Sequence, residues 1–258
     1  MIELALEPTT WLILCSAALA AGFIDAVAGG GGMLTVPALL TAGLPPHLAL
    51  GTNKLAASFG SITASVTYYR KKLFNPRFWL TSAIATALGA ILGTVLVDFL
   101  STDFLTILIP IVIIIVALYS LFSRNQFADN APLPKQSTQL TVKQSVQGVM
   151  LGFYDGVAGP GAGTFWTASN AFLYRMGILL NCGVARSMNF ISNVVSLATF
   201  FVLGHVHLLL GLTMGLFIML GAWIGAHSAI KFGSKFIKPV FNSVVIILAI
   251  KLIFDAYA

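Results

Sequence analysis

Long apolar runs separated by short polar stretches make up most of the chain, at 9–44, 48–69, 78–97 and 104–122, then at 144–180, 183–203, 207–230 and 237–257. None of them alternates apolar and polar residues over any length, so helices are expected rather than the strands of a membrane barrel. Two runs are interrupted, the first by Gly29, Gly30, Gly31 and Gly32 and the fifth by Gly159, Pro160, Gly161 and Gly163. Between the fourth and fifth runs, residues 123–143 are polar and carry Pro132 and Pro134, which predicts an exposed linker. The expected organisation is therefore a membrane unit at 9–122, a linker at 123–143 and a second membrane unit at 144–257.

The two units are copies. GFIDAVAG at 22–29 and GFYDGVAG at 152–159 agree at six of eight positions with an offset of 130, and Leu88-Gly89-Ala90-Ile91-Leu92-Gly93 is echoed by Leu220-Gly221-Ala222-Trp223-Ile224-Gly225 at an offset of 132. At that second offset Lys54 falls on Arg186, and Gly60-Ser61 falls on Ser192-Asn193. Loop charge then distinguishes parallel from inverted copies. Arg70, Lys71, Lys72 and Arg77 follow the second run, where the other copy has only His205 and His207; Lys231, Lys235 and Lys238 precede the last run, where the first copy has Asp98 and Asp103. Because Lys and Arg favour the cytoplasmic side, the exchange predicts an all-α polytopic membrane protein of two inverted repeats. Each repeat is a Gly-broken helical hairpin plus three transmembrane helices, making six full crossings and two hairpins. The linker, with Arg124, Lys135 and Lys143, is expected in the cytoplasm and the acidic N-terminus outside; eight crossings in parallel repeats are the alternative.

Composition agrees with a bilayer solvent. Of 258 residues 58% are hydrophobic and 9% charged, against about 25% charged in soluble domains, so no length remains for a soluble enzyme domain. The net charge of +6 sits in short loops and reads as orientation, not as nucleic-acid binding. Cys15 and Cys182 lie in or beside apolar runs and are expected as free, buried thiols. The first ten residues are acidic where a signal peptide is basic, so the first apolar segment is expected to stay in the protein. The glycine run lacks the strand and the Gly-Lys-Ser/Thr ending of a phosphate loop. His205, His207 and His227 show no metal-ligand spacing, and neither metal nor cofactor is expected.

Glycine breaks inside apolar segments free backbone groups that lipid cannot satisfy, and they survive where they line a protein-enclosed cavity. Paired breaks in the two halves mark a transporter with substrate held between the repeats. The half-helices after the breaks, from about Met33 and Thr164, present N–H groups and a positive dipole end that suit an anion. The expected binding set is Lys54 and Arg186 as cations, Asn53, Ser58, Ser61, Asn189, Ser192 and Asn193 as polar donors, and the backbone of Gly30, Gly31, Gly32, Gly161 and Gly163, with Trp166 as a wall. The alternative has Lys54 and Arg186 in ion pairs with Asp25 and Asp155, or snorkelling to an interface. Asp25 and Asp155 stand at the unfavourable C-terminal end of a half-helix, so they are protonated, paired or hydrogen-bonded to freed N–H groups, with a coupling or gating role. Gly89 with Gly93, and Gly221 with Gly225, predict close helix packing; Trp11, Trp79 and Trp223 are expected among the interfacial anchors.

The run GFIDAVAGGGGMLTVPALLTAGLPPHLALGTNKL together with GFYDGVAGPGAGTF resembles the TauE/SafE sulfite exporter family over nearly the whole chain. The resemblance implies about seven or eight membrane segments in the bacterial inner membrane and transport, usually export, of sulfite, sulfoacetate or related organosulfonates. The family's Thr-Asn-Lys motif falls on Thr52, Asn53 and Lys54; where its second half has lysine followed by leucines and asparagine, this chain has Arg186-Ser187-Met188-Asn189, keeping the charge and changing the donor geometry. The expected function is secondary transport of a small anion by alternating access, not catalysis, with another oxyanion or carboxylate, or a membrane scaffold, as the competing readings. Expected partners are the anion and membrane lipid, with a second copy of the chain left open and no nucleic acid.

Overall fold

The computed structural model describes residues 6–122, 132–237, 239 and 240, and its regular structure is α-helical. The order is α1 (Pro8–Val27), α2 (Gly32–Thr41), α3 (Pro46–Arg70), α4 (Leu80–Asp98), α5 (Thr102–Phe122), α6 (Thr138–Val157), α7 (Ala162–Tyr174), α8 (Ile178–Val202) and α9 (Leu208–Phe232). The helices follow the expected apolar runs, with one clear boundary change. α6 starts at Thr138, inside the stretch read as linker, because the Leu140 N–H donates to Ser137 Oγ at 3.1 Å and caps the helix. Residues 123–131, including Arg124, and nearly all of the expected last segment, including Lys238, lie outside the described residues.

Each break is a left-handed glycine turn: φ is +87° and +96° at Gly29 and Gly30, and +81° and +80° at Gly159 and Gly161, values that side chains with a Cβ resist. After the first turn α2 runs back along α1, with Leu39 and Leu44 packed in one cluster with Leu14 and Ala18. After the second, α7 runs back along α6 and shares a cluster through Tyr174 and Leu140. The two hairpins are fastened differently. Aliphatic packing holds the first. In the second, Tyr174 Oη donates to Gln147 Oε1 at 2.7 Å and Gln147 Nε2 to Asn170 Oδ1 at 2.8 Å, while Asn181 Nδ2 of α8 donates to the Thr167 carbonyl at 2.8 Å and ties α7 to the next helix.

Packing between the halves is reciprocal: α1 lies along α9, α6 lies along α4, and α3 meets α8 at the centre. The expected glycine pairs make the two outer seams. A Cβ at Gly221 or Gly225 would run into the Leu19 or Phe23 carbonyl of α1, and one at Gly89 or Gly93 into the Val149 or Phe153 carbonyl of α6, so the backbones approach as only small residues allow. α3 and α8 carry the buried Ser, Asn, Lys54 and Arg186, whereas α1, α4, α5 and α9 expose Leu12, Ile13, Ile84, Leu88, Ile107 and Leu216. Polar inside and apolar outside is the distribution that lipid imposes. Among the described residues, α1, α4 and α9 are long and apolar enough to cross a membrane. Both cysteines are free; Cys182 is buried as expected, while Cys15 is only half-buried because it lies one turn along α1 from the outward Leu12.

Charge is sorted between the ends of the bundle. Tyr68 clusters with Ile178, Cys182 and Ala229, and Trp79 with Leu140, Tyr174 and Met176. These contacts bring Arg70, Lys71, Lys72, Arg77, Lys135, Lys143, Arg175, Lys231 and Lys235 to one end. At the other, His47 Nε2 lies 3.1 Å from the Val97 and Leu100 carbonyls, and His205 Nε2 is 2.8 Å from Asp98.

The seams should be intolerant of added volume. Gly221→Val is expected to cost about 1–3 kcal/mol or more by overpacking and to lower the thermal unfolding temperature of the detergent-solubilised protein. Leu220→Val, on the exposed side of the same helix, should change it little. Equal unfolding temperatures for the two variants would show that the seam is loose.

Candidate functional site

The two breaks touch. Gly29 lies against Gly163 and Thr164, and Gly32 against Pro160, so the ends of α1 and α6 and the starts of α2 and α7 come together beside α3 and α8. A helix end leaves carbonyls without intrahelical partners and a negative dipole end. Each is met by a cation from the other half. Lys54 Nζ, from α3, donates to the Asp155 carbonyl at 2.5 Å and to Asp155 Oδ1 at 2.7 Å, in the last turn of α6. Arg186, from α8, donates through Nη1 to the Asp25 carbonyl in the last turn of α1, and through Nη2 to the Gly163 carbonyl at 2.8 Å and Thr167 Oγ1 at 3.0 Å. Its guanidinium stands 3.7 Å from the Asp25 carboxylate.

The carboxylates complete the arrangement. Asp25 Oδ1 accepts the Gly31 N–H at 3.2 Å and Oδ2 accepts Asn189 Nδ2 at 3.4 Å, while Asp155 Oδ2 accepts the Ser192 hydroxyl. A carboxylate at a helix C-terminus is disfavoured by the dipole; the cation beside it reverses that balance. The two are unequally sealed, with the Asp155 side chain 2% exposed and that of Asp25 18%. Between them lies a cavity of about 30 Å³, room for a water or two.

Of the expected site residues, Asn53, Asn189, Asn193, Gly30, Gly31, Gly32, Gly161, Gly163, Asp25 and Asp155 line this cavity. Lys54 and Arg186 do not. They are buried behind the lining, in the ion-pair arrangement that sequence reasoning left as the alternative. The reason is the high cost of a buried charge without a partner. Ser58 and Ser61 also turn away, donating to the Lys54 and Ala57 carbonyls at 2.7 and 2.8 Å, as a hydroxyl in a helix does when nothing better is near. Ser192 is held by Asp155. Trp166 is no wall of the cavity, because it is wholly buried in a cluster with Trp79, itself too buried to be an interfacial anchor. Sequence reasoning passed over two threonines. Thr35 lines the cavity and donates to Asn53 Oδ1 at 2.5 Å, tying α2 to α3, and Thr167 holds Arg186. Their signal was position, in the first two turns of the short helices after each break. Among the described residues no group of three His, Cys, Asp or Glu could hold a metal ion.

The chain matches the model of a family described as Sulfite exporter TauE/SafE over residues 14–252. It is similar to a Sinorhizobium protein described as "Probable membrane transporter protein ORF9", 39% identical over 99% of this chain and 96% of the relative. A Haemophilus influenzae "Probable membrane transporter protein" is 34% identical over 94% of each chain. "Probable membrane transporter protein YfcA" of Escherichia coli K12 is 33% identical over 95% of this chain and 90% of the relative. No solved structure matches the chain.

The crossed pairs generate a stability test. Lys54→Met leaves Asp155 buried and unpaired and is expected to cost about 3–5 kcal/mol, read as a lowered unfolding midpoint in detergent micelles. Adding Asp155→Leu should recover most of that loss, since the buried charge is gone. A double variant no more stable than the single one would mean that the pair is not the term that matters.

Proposed function

Because the chain belongs to the sulfite exporter TauE/SafE family, a family of membrane transporters and not of enzymes, we propose that it is a secondary transporter, and an exporter, of a small sulfur-containing anion such as sulfite or sulfoacetate. It works by alternating access at the interface of two inverted repeats, with six crossings and two hairpins, in the bacterial inner membrane with the basic end cytoplasmic. Support for the inversion comes from the reciprocal packing and from the ends at which equivalent helices begin: α3 at the end with His47 and Asp98, α8 at the end with the Arg70–Arg77 loop. Support for the orientation is the segregation of Lys and Arg.

The observation that carries the reading is the crossed pair of buried cations behind a cavity walled by both glycine breaks. Asp25 and Asp155 occupy the place of the transported anion between turnovers and gate the site. When substrate enters, or a proton neutralises a carboxylate, the sulfur-bound oxygens of the anion take over the attraction of Lys54 and Arg186. The N-terminal ends of α2 and α7 add positive dipole, and the Asn53, Asn189 and Asn193 amides donate to the remaining oxygens. Asp25, less sealed and without a hydrogen bond from Arg186 to its carboxylate, yields first. Geometry favours a small oxyanion because a tetrahedral or pyramidal group offers several acceptors to donors that converge from both halves.

The test is flux of sulfite and sulfoacetate into or out of proteoliposomes, with and without a proton gradient. Asn193→Leu is expected to lower parent flux at least tenfold while the protein stays monodisperse, and Arg186→Gln to lower it as far together with the unfolding midpoint, since Asp25 loses its cation. Flux equal to the parent in both variants would remove the cavity from the transport path. No parent flux of either anion would dismiss this substrate class.

A further inference from the structure

We propose that the basic end of α3 holds a diacyl anionic phospholipid, its headgroup on Arg70 and Lys71 and its two chains on either side of the ridge made by Ile62 and Val66. This site lies away from the central cavity, on the outer surface of the bundle.

Two grooves carry the inference. One, of about 360 Å³, runs between α3 and α9 and is bounded by Ile62, Val66, Trp223 and His227, with Arg70 and Lys71 at its end. The other, of about 330 Å³, runs between α3 and α8 and is bounded by the same Ile62 and Val66 together with Tyr69, Phe74, Phe190 and Ile191. They are thus a pair flanking a single helical ridge, with the exposed Arg70 and Lys71 at its basic end. Neither cation has a carboxylate partner among the described residues. Trp223 is 56% exposed beside the first groove, and its carbonyl lies 2.8 Å from His227 Nδ1 on the same wall. An amphipathic indole at the level of cationic side chains is the pattern of a membrane interface.

Each feature narrows the ligand. Two unpaired cations ask for an anion, and basic pockets between helices at this level suit acidic headgroups. A soluble phosphate would use the cationic rim and leave both apolar grooves open. A single-chain amphiphile would fill one groove, whereas a two-chain phospholipid fills both. Because α3 also carries Asn53 and Lys54, a lipid astride its end braces the helix that holds one of the central cations.

The test is native mass spectrometry of the purified protein titrated with phosphatidylglycerol and phosphatidylcholine of matched chains. Phosphatidylglycerol should be retained at least tenfold more tightly, and Arg70→Gln with Lys71→Gln, both at exposed positions, should bring it to the phosphatidylcholine level. Val66→Trp, which fills the walls of both grooves, should weaken both lipids. Arg77→Gln, in the same loop but outside the grooves, should leave retention as in the parent. The proposal is overturned if the two lipids bind the parent alike, if Arg77→Gln acts as strongly as the double variant, or if glycerol phosphate at equal concentration displaces the lipid.

Discussion

The exchange of buried charges between the halves is the interaction on which the rest of this structure depends. A charge at the centre of a membrane helix costs at least about 2.5–3.5 kcal/mol on insertion scales, and a carboxylate in the last turn of a helix opposes its dipole. Lys54, Arg186, Asp25 and Asp155 would each be unfavourable alone. Brought together crosswise they become compatible, because each cation meets both a carboxylate and a backbone carbonyl in the last turn of a helix that ends at a glycine break. That solution requires the breaks to touch, α3 and α8 to stand side by side, and the outer helices to close in on glycine seams. The observed packing has all three.

The halves share a plan without sharing its chemistry. Lysine offers one compact ammonium that reaches its carboxylate directly, whereas arginine spreads its donors over two carbonyls and a threonine. In the same way, one hairpin is held by aliphatic side chains, which tolerate sliding, and the other by a chain of directional hydrogen bonds through Gln147, Asn170 and Tyr174.

Much of this was legible in the residues. Helix positions followed from apolar runs punctuated by glycine, proline and charged loops, and the repeat GFIDAVAG and GFYDGVAG marked both the breaks and the carboxylates before them. Glycine pairs marked the seams. What could not be read was direction. Spacing along a chain says that Lys54 lies in the membrane but not that it points to Asp155, which is 101 residues away. Similarly, Ser58 and Ser61 share a helix with Lys54, yet whether a hydroxyl faces a cavity or its own i−4 carbonyl is decided by tertiary surroundings. Trp166 sits just past a break in sequence and is carried by the turn of α7 into a cluster with Trp79. The start of α6 was hidden for another reason: its first residues are polar, and hydropathy has no view of a serine cap.

The crossed pairing also sets an order on the assembly of the protein. A membrane chain is inserted from its N-terminus, and Asp25 arrives 161 residues before the Arg186 that meets its helix end; Lys54 waits 101 residues for Asp155. For the 101 residues between Lys54 and Asp155, then, the first half holds a cation and a carboxylate whose final partners have not yet been made. Neither half completes its charge pairs by itself, so the crossed arrangement requires both halves to be present before either buried cation has its final partners.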